Sequence, residues 1–115
     1  MTDDDKPRKP KRPQAVYTLV VEVGRKTGDG LPKGATGAAL VVYASGVDED
    51  EAVRETVAIL KQADLNPLDV TGYGTVEERI ALGQEIEPEE RALMDRALAE
   101  NSVIVAQMTP FFDKP

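Results

Sequence analysis

The sequence predicts an α+β domain built as a two-layer sandwich, in which a mixed four- to five-stranded sheet packs against two main helices on one face. Apolar segments with the two-residue period of strands alternate along the chain with segments that have the 3.6-residue period of helices. The chain has 115 residues, of which 41% are hydrophobic, and this is enough for one core. No apolar segment reaches the ~20 residues that a membrane-spanning helix needs, so we expect no membrane span.

Two β-strands are predicted in the first half of the chain. Residues 14–23 (QAVYTLVVEV) alternate so that one face is fully apolar and the other only partly so. Residues 37–46 (GAALVVYASG) hold a continuous apolar run, which indicates a central strand buried on both faces. We expect the two strands to pair as an antiparallel hairpin with a long loop.

The best-defined helix is predicted over residues 47–64 (VDEDEAVRETVAILKQAD). Asp48 is suited to the N-cap position, and Glu51 follows three residues later in the capping-box position. Apolar residues at helical spacing form a broad stripe that needs a sheet surface to cover it: Val53, Val57, Leu60 and their neighbours.

Residues 75–83, which follow a short predicted strand at 68–74, allow two interpretations. Thr75 and Glu78 fit a capping box, which favours a helix over 75–83 that ends at Gly83. The same residues also place Val76, Ile80 and Leu82 on one face of a strand. In that case residues 38–108 are compatible with the ferredoxin-like order β-α-β-β-α-β. We favour the helix.

The chain is predicted to end with a helix and a strand. Pro88 suits the first position of a helix over residues 87–101, and Asn101 can close it. Residues 102–108 predict a buried strand that Pro110 stops. Since helices fall between strands, we expect the middle strands to run parallel through right-handed crossovers.

The composition excludes several chemistries. The chain has no cysteine and no histidine, so it cannot form a disulfide, a thiolate nucleophile, a histidine general base or a usual zinc site. We therefore predict a protein without cofactor or metal and without catalytic activity. The lack of disulfides in so small a domain favours a cytoplasmic location.

Charge divides the chain into a tail and a body. Residues 1–13 contain five basic and three acidic residues and three prolines, and they predict a disordered basic tail. Residues 14–115, which we predict to be a single α+β domain, contain nine basic and 18 acidic residues. Such a body repels nucleic acid, whereas the tail offers candidate contacts to a polyanion: Arg8, Lys9, Lys11 and Arg12.

The glycine-rich segment 24–37 (GRKTGDGLPKGATG) is the one candidate for a phosphate-binding loop. Lys33 precedes Gly34 instead of following it, and Lys33 also occupies the position where a dinucleotide-binding loop has its third glycine. Both motifs require a helix to follow, and a β-branched strand follows here. We interpret the segment as a connection between strands, with Lys26 and Lys33 as candidate partner contacts.

Residues 71–78 (TGYGTVEE) resemble the central motif of RNA-recognition domains at Gly72, Tyr73, Gly74 and Val76. However, Thr71, Thr75 and Glu78 replace the basic and aromatic residues that contact RNA. We interpret the segment as the end of a strand that turns into a capped helix. Tyr73 is then a candidate ligand or partner contact.

The sequence favours a small non-catalytic binding or regulatory domain whose partner is another protein or a second copy. Two alternatives stay open. One is a small enzyme that uses carboxylate and tyrosine groups on a small molecule, which a tyrosine and a carboxylate in contact within a pocket would support. The other is an adaptor that docks on a polyanion through its basic tail.

Overall fold

The computed structural model describes residues 13–112, so the basic tail contacts predicted at positions 8 to 12 lie outside the described residues. The elements follow one another as β1 (Ala15–Gly24), β2 (Ala35–Gly46), α1 (Glu49–Gln62), β3 (Asn66–Thr75), α2 (Val76–Ala81), α3 (Pro88–Glu100) and β4 (Val103–Phe112). Among residues 13–112, no helix is both long enough and apolar enough to cross a membrane.

The four strands form one sheet in the order β3-β1-β2-β4, and every neighbouring pair is antiparallel. The predicted β1–β2 hairpin is confirmed, whereas the predicted mixed sheet is wrong. β2 and β3 do run in the same direction and are joined through α1, but β1 lies between them. The strand order does not confirm the ferredoxin-like arrangement.

The two long helices cover opposite faces of the sheet, so the prediction of both on one face is wrong. Ala52 and Leu60 of α1 pack on the face that carries Leu19 and Leu40. Met94 and Ala97 of α3 pack on the other face, against Val16 and Tyr43: a second buried cluster. The cause is the apolar run of β2, which exposes apolar side chains on both faces and needs cover on both.

Helix ends follow the sequence closely. Asp48 caps α1 by accepting a hydrogen bond from the Glu51 amide at 2.9 Å. Residues 76–81 are helical as favoured, and Thr75 and Glu78 form the predicted capping box at the start of α2. Asn101 ends α3 in the left-handed conformation at φ 50°.

The last strand differs from its prediction. β4 continues through Pro110 to Phe112 and lies at an edge of the sheet, where it pairs with β2 alone among the described strands. Proline is tolerated there because an edge strand has one side whose amides need no strand partner. As a result β4 is mostly exposed instead of buried.

Candidate functional site

The glycine-rich loop between β1 and β2 holds a carboxylate of its own chain. The Asp29 side chain accepts hydrogen bonds from the amides of Lys26 and Leu31 at 2.7 and 2.9 Å, and Arg25 Nε donates to it at 3.0 Å. Leu31 is buried in the core on the α1 face and anchors the loop. The loop amides that could bind a phosphate therefore already donate hydrogen bonds to the Asp29 carboxylate.

The two lysines of this loop lie apart from any cavity described below. Lys26 and Lys33 are both exposed, and β2 begins as a strand at Ala35, as the sequence predicted. A strand offers no helix N-terminus for an anion. These observations support the interpretation of the loop as an ordered connection.

Asp29 makes the stability of the loop depend on pH. The Leu31 and Lys26 amides, and then Arg25, hold the pKa of Asp29 below its ordinary value of 3.8. A carboxylate whose pKa is lowered in the folded state stabilises the fold at pH values above its ordinary pKa. This stabilisation is lost as the pH falls through the pKa of the folded state. We therefore expect Asp29→Asn to lower the melting temperature at pH 7.

Calorimetry at a series of pH values checks this expectation. The difference in melting temperature between the wild type and Asp29→Asn should shrink as the pH falls below 3.8. Asp69→Asn removes an exposed carboxylate from β3 and is the matched control, which should melt as the wild type does. A difference that stays constant down to the lowest pH would contradict this role of Asp29.

A cavity of about 280 Å³ opens on the α3 side of the sheet, beside the part that α3 covers. Its walls come from five elements, and the apolar part consists of Val20, Val41 and the ring of Tyr73. Tyr73 is the extra residue of a β-bulge, because Thr18 pairs with Gly74 and Leu19 pairs with Gly72. Bulges turn a side chain away from its regular direction.

Glycine is required on one side of this bulge. Gly74 has φ +94°, a left-handed conformation, and a Cβ built on it would lie 2.5 Å from Glu78 Oε1. Glu78 is the capping-box residue of α2, so the bulge and the start of α2 are fitted to each other. Tyr73 therefore has a defined place at the rim of the cavity.

The polar part of the cavity is a connected cluster of three side chains and their neighbours. Tyr43 Oη donates to Glu90 Oε2 at 3.0 Å, and Arg79 Nη2 lies 3.6 Å from Glu90 Oε1. The Arg79 side chain is only 11% exposed. It also donates to Thr18 Oγ1 at 3.1 Å and to Gln84 Oε1 at 2.8 Å.

Burial of the hydroxyl, and then its hydrogen bond to Glu90, raise the pKa of Tyr43 above its ordinary value of 10.0. Tyr43 therefore remains protonated near neutral pH and acts as a hydrogen-bond donor. The cluster combines this donor, a cation and a carboxylate next to an open apolar wall. Such an arrangement can bind a small polar molecule through hydrogen bonds and apolar contact, without forming a covalent bond to it.

A second exposed feature lies on the opposite face of the sheet, along β4. The core on the α1 face includes three residues of β2: Val42, Leu40 and Ala35. In the β2–β4 pairing these residues lie opposite Val105, Met108 and Phe112 of β4. The three β4 side chains therefore also point to the α1 side. The three side chains are 44%, 46% and 52% exposed. We call these three side chains the β4 strip.

The sequence identified one residue of the cavity and missed the others. Tyr73 lies in the cavity, whereas Lys26 and Lys33 do not. Arg79 and Glu90 were missed because they belong to different helices, and only the fold brings them together. Within residues 13–112 no group of three or more acidic side chains is placed to hold a metal ion.

The comparison with protein families gives one match, over residues 16–112, to a family described as a domain of unknown function, DUF8846. The chain belongs to the DUF8846 family. This match spans the whole fold except the first residue of β1, and it includes both the cavity and the β4 strip. Searches of curated proteins and of solved structures found no match.

Proposed function

We propose that this DUF8846 domain is a non-catalytic binding domain that forms a homodimer through the β4 strip. The observation that carries the proposal is the composition of β4 and its neighbourhood. Residues 102–112 (SVIVAQMTPFF) contain no charged side chain, in a chain of which 30% is charged. Apolar side chains gathered on an exposed surface are typical of protein interaction sites.

A second copy fits this surface better than a charged partner does. The chain carries a net charge of −7, so two copies repel each other except where they meet through uncharged residues. In a two-fold dimer the same surface contributes both sides, and an uncharged strip brings no like charges together. The β4 strip satisfies this requirement over the whole length of the strand.

The copies are expected to meet through side chains and not by continuing the sheet. β4 contains a bulge at Ala106, because Val41 pairs with Gln107 and Val42 pairs with Val105. Bulges and proline protect edge strands against pairing with further strands. The strip is small compared with the ~1,200–2,000 Å² of stable interfaces, so we expect a dimer that dissociates on dilution.

Sedimentation equilibrium of the full chain at several concentrations tests the proposal. The wild type should shift from the monomer towards the dimer mass as the concentration rises. Met108→Lys places a charge in the middle of the strip and should stay monomeric. Leu82→Lys makes the same change at an exposed apolar residue after α2 and is the matched control, which should still dimerise.

Two results would contradict the homodimer. One is a wild type that keeps the monomer mass at every concentration, and the other is equal dimerisation of Met108→Lys and the wild type. A folded structure of each variant is checked by circular dichroism. Since Met108 is half-exposed, its replacement by lysine should leave the fold intact.

The small enzyme is the second candidate function, and the contact between Tyr43 and Glu90 is the observation that favours it. We favour binding because the raised pKa of Tyr43 keeps its hydroxyl protonated, so it cannot serve as a base near neutral pH.

A further inference from the structure

The cavity beside Tyr73 presents a hydrogen-bond donor and an acceptor next to each other. Arg79 Nε and Nη1 are engaged by Gln84 and Thr18, but Nη2 lies 3.6 Å from the nearest Glu90 oxygen. This distance exceeds that of a hydrogen bond. Glu90 already accepts hydrogen bonds from the Tyr43 hydroxyl at 3.0 Å and from the Glu87 amide at 3.4 Å. A carboxylate can accept about four hydrogen bonds, so it still has room for a ligand donor, and the same ligand can accept from Arg79.

The remaining walls favour a flat apolar body between these polar groups. Val20 and Val41 form the floor, and the bulge holds the half-exposed ring of Tyr73 at the rim. An aromatic ring at such a position stacks well on another planar ring. The volume of about 280 Å³ suits a molecule smaller than a typical drug.

Charge argues for a neutral ligand. Arg79 and Glu90 cancel each other within the cavity, and Tyr43 remains uncharged. The body of the chain, residues 14–115, has twice as many acidic as basic residues, 18 against nine, and so disfavours anions. The same repulsion disfavours a polynucleotide as the source of the ring.

We propose that this cavity binds a free nucleobase or nucleoside whose ring carries a carbonyl beside an N–H, as uracil and hypoxanthine do. The ring lies against Tyr73, the carbonyl accepts a hydrogen bond from Arg79, and the N–H donates to Glu90. This site is on the α3 side of the sheet, opposite to the β4 strip. It is therefore independent of the proposed dimer.

Titration of the ¹⁵N-labelled full chain with uridine and with inosine tests the proposal by NMR. We expect saturable shifts at the Tyr73 and Gly74 amides and at Arg79 Nε. 3-Methyluridine has the same ring and carbonyls but no ring N–H, and it leaves the Glu90 carboxylate without its donor. It should bind about tenfold more weakly than uridine.

Replacements of Tyr73 test the stacking separately from the hydrogen bonds. Tyr73→Ala removes the ring and should weaken uridine binding about tenfold, since stacking on an aromatic side chain contributes ~1–3 kcal/mol per base. Tyr73→Phe keeps the ring and should bind as the wild type does. Both variants should keep the wild-type fold because Tyr73 is half-exposed.

Three results would overturn the proposal. The first is the lack of saturable shifts with both nucleosides, or shifts that lie outside the cavity. The second is equal affinity for uridine and 3-methyluridine. The third is an oligouridylate that binds far more tightly than uridine, with an affinity that falls steeply with salt, which would identify RNA as the ligand.

Discussion

Leu60→Ala and Met94→Ala are each expected to lower the free energy of unfolding by about 3 kcal/mol, as large-to-small replacements at fully buried sites do. Both side chains are about 1% exposed. Leu60 fixes α1 to one face of the sheet, and Met94 fixes α3 to the other. Urea denaturation followed by circular dichroism measures both losses.

The same two positions test whether the helices lie on opposite faces. Side chains on opposite faces of a sheet share few contacts. The losses of unfolding free energy caused by the two replacements should therefore add within about 0.5 kcal/mol. The milder replacements Leu60→Val and Met94→Val are suited to the double variant because it should stay folded. A coupling energy above about 1 kcal/mol would indicate that the two helices share one core.

Gly37→Ala is expected to destabilise the domain by about 3 kcal/mol, at the upper end of what overpacking costs. A Cβ on Gly37 would clash with the backbone oxygen of Val23. Gly37 lies on β2 next to β1, and a backbone atom in the centre of a sheet cannot move aside as a flexible side chain can. The strands would have to separate at the hairpin.

The neighbouring residue supplies the control for this replacement. Thr36→Ala changes an exposed side chain on the same strand, where the hydroxyl makes one long hydrogen bond, 3.4 Å, to the Phe111 carbonyl. We expect a loss below about 0.5 kcal/mol, as for most surface replacements. Chemical denaturation of both variants under the same conditions checks the pair, and equal stability of Gly37→Ala and the wild type would contradict the close approach.

Local features of the fold could be predicted because local chemistry decides them. The caps of Asp48 and Thr75 and the left-handed Asn101 follow from which side chains satisfy the amides and carbonyls at helix ends. The β1–β2 hairpin follows from two adjacent apolar strands. These features can therefore be predicted from the local sequence alone.

The predicted arrangement of the layers is wrong because this arrangement depends on residues that lie far apart in the sequence. The apolar run of β2 already indicated burial on both faces, and this is incompatible with a sandwich that has one bare face. The predicted burial of β4 is also wrong, because an apolar strand is buried only where other elements cover it. In the structure, Val105 and Met108 are half-exposed at an edge.

The candidate sites were predictable only in part for the same reason. Tyr73 is a sequence-based candidate because residues 71–78 resemble an RNA-recognition motif, but the bulge that places it in the cavity depends on the pairing of β3 with β1. Arg79 and Glu90 meet through the packing of α2 and α3. The uncharged composition of β4 was visible in the sequence, whereas its exposure was not.

Isotope-filtered NMR on a mixture of labelled and unlabelled chains tests self-association through the β4 strip most directly. At concentrations where the dimer forms, we expect intermolecular contacts between the Met108 methyl group of one copy and Val105 or Phe112 of the other. Intermolecular contacts confined to other surfaces, with none at Met108, would contradict the β4 strip as the interface.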